Sequence, residues 1–114
     1  MSRFVLVDDP KTWQNARDYC IGTGARLMEI RSHLDYQRAY SFVQFSPLWL
    51  GASDIQAEGN WVWDSNQGVV DLGDEFWKEG RPYTSTQYSC LSISSDGLID
   101  SICSDSLYFY CDKK

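Results

Sequence analysis

The sequence lacks the features of several large functional classes. No run of apolar residues approaches the roughly 20 that a helix needs to cross a bilayer. Basic residues are outnumbered, with 10 Lys and Arg against 16 Asp and Glu, so the formal net charge is −6. An acidic surface repels phosphate groups, which disfavours binding to nucleic acids and to anionic membranes. Histidine occurs once, as His33, with no second base or nucleophile near it in sequence, so we predict a surface position for it and no enzyme activity.

Aromatic residues and cysteines, in contrast, are plentiful. Aromatic residues make up 15% of the 114 residues, and there are four cysteines, Cys20, Cys90, Cys103 and Cys111. An even number of cysteines in a small acidic chain indicates disulfide bridges and an oxidising environment, so we expect an extracellular protein. Four cysteines allow three pairings, and their spacing alone does not choose among them. The length predicts a single domain, 1–114.

Two helices are predicted in the first half of the chain. Residues 4–7 predict a strand, and Asp9 as N-cap with Pro10 at the first helical position predicts the start of a helix. The apolar stripe of this helix consists of Trp13, Ala16, Tyr19 and Cys20. After a strand at 26–30, Ser32 and Asp35 predict the start of a second helix that ends at about Phe45. The residues that it is predicted to bury are Leu34, Ala39, Phe42 and Val43.

Short strands and one long loop are predicted for the second half. The strand segments are 48–52, 60–63, 90–93, 97–100 and 107–111. Between them, residues 64–87 are irregular and rich in Gly, Asp and Ser, but their aromatic residues argue against disorder. Helices followed by a mostly antiparallel sheet predict an α+β fold.

A series of short motifs occurs in a fixed order along the chain. These motifs are Cys20, Trp49-Leu50-Gly51-Ala52, Trp61-Val62-Trp63, Cys90, Cys103 and Phe109-Tyr110-Cys111. Their order and spacing resemble those of a C-type lectin-like domain over nearly the full length of the chain. Residues 49–52 stand in place of the family's Trp-Ile-Gly-Leu signature. The resemblance implies the short form of the C-type lectin-like fold, an α+β fold with two helices, antiparallel sheets and a long loop. It also implies two disulfides, Cys20–Cys111 and Cys90–Cys103.

Many members of this family bind sugar through a calcium ion at the long loop, and this ion needs six to eight oxygen ligands. The resemblance places Arg81-Pro82-Tyr83 where the family has Glu-Pro-Asn or Gln-Pro-Asp, and the proline is expected to keep the family's cis peptide bond. A guanidinium has no lone pair to offer and carries a permanent positive charge. Of the later ligand positions only Asp100 keeps a carboxylate. We therefore expect no calcium and no other cofactor here, and we predict that Arg81 pairs with Asp100 in place of the metal ion.

A displaced, weak calcium site is the alternative. Its candidate ligands are Asp54, Glu58, Asp74 and Glu75. The simpler interpretation, which we favour, is that these acids solvate a long loop.

The resemblance predicts extracellular, non-catalytic recognition by one of two mechanisms. The first is calcium-independent binding of a protein partner at the long-loop face, by Trp77, Arg81, Tyr83, Tyr88 and Asp100. The second is glycan binding, either without metal through aromatic stacking or through the displaced calcium site. Trp77 has an equally supported structural role, in which it holds the loop down. An ice- or mineral-binding domain is a third alternative that no residue favours. The sequence does not determine whether the domain forms a homodimer.

Overall fold

The fold consists of two helices and a mixed sheet. The computed structural model describes residues 3–44, 46–65, 68–70, 76–83 and 86–113. Within these residues the elements are β1 (Arg3–Lys11), α1 (Trp13–Gly22), β2 (Arg26–Leu27), α2 (His33–Phe42), β3 (Leu48–Ser53), β4 (Val62–Trp63), β5 (Cys90–Ser94), β6 (Gly97–Ser101) and β7 (Leu107–Lys113).

The described strands form one sheet with the order β1-β7-β3-β5-β6, while β2 pairs with β7 and β4 pairs with β3. The pairings are antiparallel except that of β3 with β7, which is parallel where Trp49 lies opposite Phe109. The described sheet is therefore mostly antiparallel, as predicted, with one parallel pair of strands. Parallel neighbours need a long crossover, and the chain supplies one because β4, the long loop, β5 and β6 lie between β3 and β7.

Two clusters of buried side chains occupy the two faces of β3. Leu48, Leu50 and Ala52 join the cluster that also contains Ala39 of α2. Trp49 points to the other cluster, with the buried side of α1. The alternation follows from the two-residue period of a strand, and it explains why β3 is buried on both faces.

The tryptophans predicted to be core residues are buried, and two of them also bond to the backbone. These tryptophans are Trp13, Trp49, Trp61 and Trp63. Nε1 of Trp13 donates to the carbonyl of Leu50 at 2.9 Å, and Nε1 of Trp49 donates to the carbonyl of Lys11 at 2.8 Å. Each indole therefore satisfies its polar atom while it fills the core.

Both predicted disulfides are present. Cys20–Cys111 joins α1 to β7 across 91 positions, and Cys90–Cys103 joins β5 to the segment before β7 across 13 positions. Closing the longer loop, between Cys20 and Cys111, stabilises the fold by on the order of 4 kcal/mol in the chain-entropy model. In the sheet, Arg3 of β1 is the Cα partner of Lys113 of β7, so the two ends of the described chain are neighbours.

The start of α1 differs from the prediction. β1 continues through Pro10 to Lys11, which is possible because β1 is an edge strand and needs no donor there. Thr12, not Asp9, is the N-cap, and its Oγ1 accepts from the backbone N–H of Asn15 at 3.3 Å. Tyr19 lies at the margin of the predicted apolar stripe and is exposed.

The start of α2 was predicted correctly, but its end was not. Oγ of Ser32 accepts from the backbone N–H of Asp35 at 3.1 Å, as in a cap. The helix ends at Phe42, while Phe45 lies outside the described residues. Leu34 is exposed because it lies roughly 140° around the helix from the buried Ala39.

Candidate binding site beside Arg81

The candidate site is built on Asp100, a carboxylate in the middle of a strand. Asp100 lies in β6 opposite Leu91 of β5, and its exposed fraction is 1%. A carboxylate buried this deeply needs a cation or several donors, since removing an ionised group from water costs several kcal/mol.

Arg81 supplies the cation. Its Nη1 donates to Oδ1 of Asp100 at 2.7 Å, and the same nitrogen donates to the backbone carbonyl of Asp100. The backbone N–H of Tyr83 donates to Oδ2 of Asp100 at 2.7 Å. The peptide bond between Arg81 and Pro82 is cis, as predicted. The ion pair that the sequence predicted is therefore present, and each carboxylate oxygen has a donor.

The charge of Arg81 is stabilised in this environment. Partial burial works against the charged form, but the hydrogen bond from Arg81 to Asp100 and the charge of Asp100 outweigh it, so the pKa of Arg81 is raised above its ordinary value. The guanidinium is therefore a permanent cation fixed beside the sheet.

Two tyrosines cover this cation. Cζ of Arg81 lies 4.1 Å from the ring centroid of Tyr83 and 5.8 Å from that of Tyr88. The two rings meet edge to face, with centroids 5.2 Å apart. Tyr88 is half-buried, whereas 48% of Tyr83 is exposed. We call these three side chains, Arg81, Tyr83 and Tyr88, the Arg81 surface.

Trp77 lies on the core side of the long loop. Its ring packs edge to face on Trp61 with centroids 5.7 Å apart, and its backbone bridges to Leu98 of β6. The partly buried indole packs against the cluster of buried side chains that also contains Ala39 of α2. This position supports the structural alternative for Trp77, which holds the returning loop to the sheet.

The residues at the family's main calcium position do not fit the ion. A guanidinium nitrogen, which is a donor without a lone pair, points at the one remaining carboxylate. Both oxygens of that carboxylate accept hydrogen bonds. The described residues at this position thus supply one carboxylate and one cation, which is far fewer than the six to eight oxygen ligands that calcium needs.

Only two of the four candidate ligands of the displaced site, Asp54 and Glu58, lie in the described part of the chain. Asp54 is buried, and its Oδ2 accepts from the backbone N–H of Gly59 at 2.8 Å. Its Oδ1 is also buried but accepts no hydrogen bond from the described residues. Glu58 is exposed, and Asp74 and Glu75 lie outside the described residues. Among the residues that are described, no group of three or more His, Cys, Asp or Glu side chains could hold a metal ion.

The single histidine has a surface position, as predicted. His33 is exposed at the first turn of α2, and its ring meets that of Phe76 edge to face with centroids 4.8 Å apart. This contact is one of packing.

Sequence reasoning missed how the site is held together. It predicted the pair of Arg81 with Asp100, but not the hydrogen bond from the backbone of Tyr83 or the stacking of its ring on the guanidinium. The adjacency of residues 81–83 contained the signal, because an arginine and a tyrosine on either side of a cis proline can turn to the same side.

Comparison with known proteins identifies the family. The sequence profile of the Lectin C-type domain family matches residues 9–113, so the chain belongs to this family. A curated relative, the CD209 antigen of Papio hamadryas, is 25% identical over 117 residues. The match covers 96% of this chain but only 31% of that relative, which is therefore a much longer protein.

Solved structures show the same fold. The mouse scavenger receptor C-type lectin carbohydrate-recognition domain has a TM-score of 0.89 at 22% identity, covering 99% of this chain and 88% of that one. A calcium-independent type II antifreeze protein has a TM-score of 0.86 at 23% identity, covering 98% of this chain and 85% of that one. The fold thus occurs in a carbohydrate-recognition domain and in an antifreeze protein.

The family sets the broad function. Its domains are generally non-catalytic recognition modules, and they are typically extracellular proteins or receptor ectodomains. The two disulfides fit such an environment. Neither helix in the described parts of the chain has the length and apolar character needed to cross a bilayer.

Proposed function

We propose that this domain is an extracellular, calcium-independent recognition module that binds a protein partner through the Arg81 surface. The observation that carries the proposal is the bond between the Arg81 guanidinium and the buried Asp100. The protein's own cation takes the part that a metal ion plays in many relatives, so the surface is complete without calcium.

The Arg81 surface suits a protein partner because it is aromatic, exposed and held in place. Tyrosine and arginine are the residue types most enriched among those that dominate binding energy in protein interfaces. Tyr83 is fixed from three directions, by its N–H on Asp100, by the guanidinium under its ring and by the edge of Tyr88. A side chain that is already ordered loses little conformational entropy when a partner binds.

The experiment for this proposal is a binding screen with matched tyrosine variants. A multimerised form of the domain would be applied in EDTA to an array of purified secreted proteins and ectodomains, and to a glycan array. We expect protein ligands that lose at least tenfold in affinity with Tyr83→Ala, because truncating a central aromatic costs about 2 kcal/mol. Tyr40→Ala is the control, since Tyr40 is 44% exposed and lies on α2, outside the Arg81 surface.

Three outcomes would contradict the proposal. These are ligands found only on the glycan array, protein ligands that bind in calcium but not in EDTA, and equally tight binding of protein ligands by Tyr83→Ala and Tyr40→Ala.

Glycan binding through a displaced calcium site is the second candidate function. The observation that favours it is Oδ1 of Asp54, a buried carboxylate oxygen that accepts no hydrogen bond from the described residues. A cation at this oxygen would remove the cost of burying it.

Thermal unfolding separates the two functions. Calcium that binds only the folded state raises the melting temperature by linkage. We expect the same melting temperature in 2 mM calcium chloride and in EDTA, to within about 1 °C, which is less than ~0.5 kcal/mol for a domain of this size. A rise of several degrees that Asp54→Asn removes would overturn calcium independence and favour the second candidate.

A further inference from the structure

A cleft lies apart from the Arg81 surface. The cleft, of about 200 Å³, opens between α1 and the β3–β4 hairpin, and no residue of the Arg81 surface lines it. A cleft of this volume has room for one small molecule.

One wall of the cleft is apolar. It is formed by the buried Trp13, the half-buried Val62 of β4 and Ile55 in the loop after β3. Ile55 is 57% exposed, although it is a branched apolar residue. A ligand that covers this wall removes apolar surface from water, which favours binding by roughly 25 cal/mol per Å².

The same cleft is also lined by a guanidinium and a carboxylate that are held in fixed positions. Nε of Arg17 donates to Oδ1 of Asp64 at 2.7 Å, which joins α1 to the turn after β4. The backbone N–H of Asp64 donates to the carbonyl of Gly51 at 2.7 Å, so the turn that carries the carboxylate is held to β3. The side chains of Arg17 and Asp64 are 33% and 20% exposed, so both keep polar atoms at the cleft.

The residues that line the cleft carry one guanidinium and one carboxylate, Arg17 and Asp64, so the charges of the lining balance. Nη1 of Arg17 also contacts Oδ1 of Asp18, which lies outside the lining, at 3.1 Å. The hydrogen bond to Asp64 outweighs partial burial, and the pKa of Arg17 is raised above its ordinary value. An anion would be repelled by the two carboxylates, and a cation would compete with Arg17 for them.

A neutral ligand with adjacent hydroxyl groups satisfies these conditions. One hydroxyl can accept a hydrogen bond from the guanidinium while its neighbour donates to the carboxylate of Asp64. The C–H face of the same ring can cover the apolar wall, and the amide of Gln56 lines the cleft. We propose that this cleft is a metal-free binding site for one neutral monosaccharide unit, independent of the Arg81 surface.

The test is an NMR titration of the ¹⁵N-labelled native domain in EDTA. The probes are four neutral sugars, glucose, galactose, mannose and N-acetylglucosamine, and two charged analogues, glucuronic acid and glucosamine. We expect at least one neutral sugar to shift the amide signals of residues 14, 17, 55, 56 and 62 with a millimolar Kd. We expect each charged analogue to bind at least threefold more weakly than its neutral parent.

Substitutions at Ile55 and Arg17 test the location of the site. Ile55→Ser removes the exposed part of the apolar wall, and Arg17→Gln removes the donor charge, and each should weaken binding at least fivefold. Arg38→Gln is the matched control, since Arg38 is an exposed arginine on α2 outside the cleft, and it should bind as the native domain does.

The inference is overturned if no neutral sugar shifts these amides at 100 mM, or if the charged analogues bind as tightly as the neutral ones. It is also overturned if the shifts occur only at Tyr83 and Tyr88. That last result would instead support metal-free glycan binding at the Arg81 surface.

Discussion

Two buried carboxylates of this domain, Asp100 and Asp54, differ in the groups that stabilise them. Asp100 is 1% exposed, and its two oxygens accept from Nη1 of Arg81 and from the backbone N–H of Tyr83. Asp54 is 4% exposed, and only one of its oxygens accepts a hydrogen bond from the described residues, from the N–H of Gly59. The carboxylate of Asp100 is therefore bonded to a cation and a backbone N–H, whereas that of Asp54 is bonded to a backbone N–H alone among the described residues.

The difference shows two ways in which a buried carboxylate is stabilised. A buried carboxylate without a counter-charge is costly. At Asp100, the guanidinium of Arg81 supplies the counter-charge. At Asp54 no described side chain does so. We therefore expect the two regions to respond differently when their charge is removed.

The largest effect is expected for Asp100→Asn. The amide keeps the shape of the side chain but leaves the partly buried guanidinium of Arg81 without a charged partner, which costs about 3 kcal/mol. Urea unfolding measures the change. Asp96→Asn, at an exposed position in the same β5–β6 hairpin, should alter the free energy of unfolding by less than about 0.5 kcal/mol. Equal effects of the two variants would show that the ion pair contributes little.

The second effect is recovery by the double replacement Arg81→Met with Asp100→Leu. Since apolar residues of similar size need no counter-charge, the double variant should regain about 2 kcal/mol relative to Asp100→Asn. The same urea titrations, completed with Arg81→Met alone and Asp100→Leu alone, give the coupling energy. A double variant as unstable as the sum of the single ones would mean that the two side chains act independently.

The smallest effect is expected for Asp54→Asn. The amide oxygen can still accept from the N–H of Gly59, and a buried charge with an unsatisfied oxygen is removed, so the change should stay below about 1 kcal/mol. A loss as large as that of Asp100→Asn, measured in EDTA, would erase the contrast between the two regions.

The elements that the sequence predicted well are those set by local patterns or by the family's motifs. The cap at Ser32, the buried tryptophans and both disulfides were correct. The predicted cap at Asp9 was wrong because Pro10 suits an edge strand as well as a helix start, and only the pairing of β1 with β7 decides between them. Leu34 was predicted to be buried because it is apolar, although its angle around the helix turns it to solvent.

For the candidate site, the sequence predicted the charge and missed the stacking. Pairing Arg81 with Asp100 followed from two positions that share one ion in related proteins, so the motif alone was sufficient. The position of the Tyr83 ring over the guanidinium depends on the path of the loop, which no local pattern determines. The roles of Arg81, Tyr83 and Tyr88 in binding stay predictions until ligands are found.

The bond between Cys20 and Cys111 has a consequence for how this domain survives damage. A protease that cuts the long loop once would leave two pieces still tied by sulfur, with β1 and β7 side by side. Such a nicked molecule would run as one band on a gel without reductant and as two with it. A single cut therefore does not release either half.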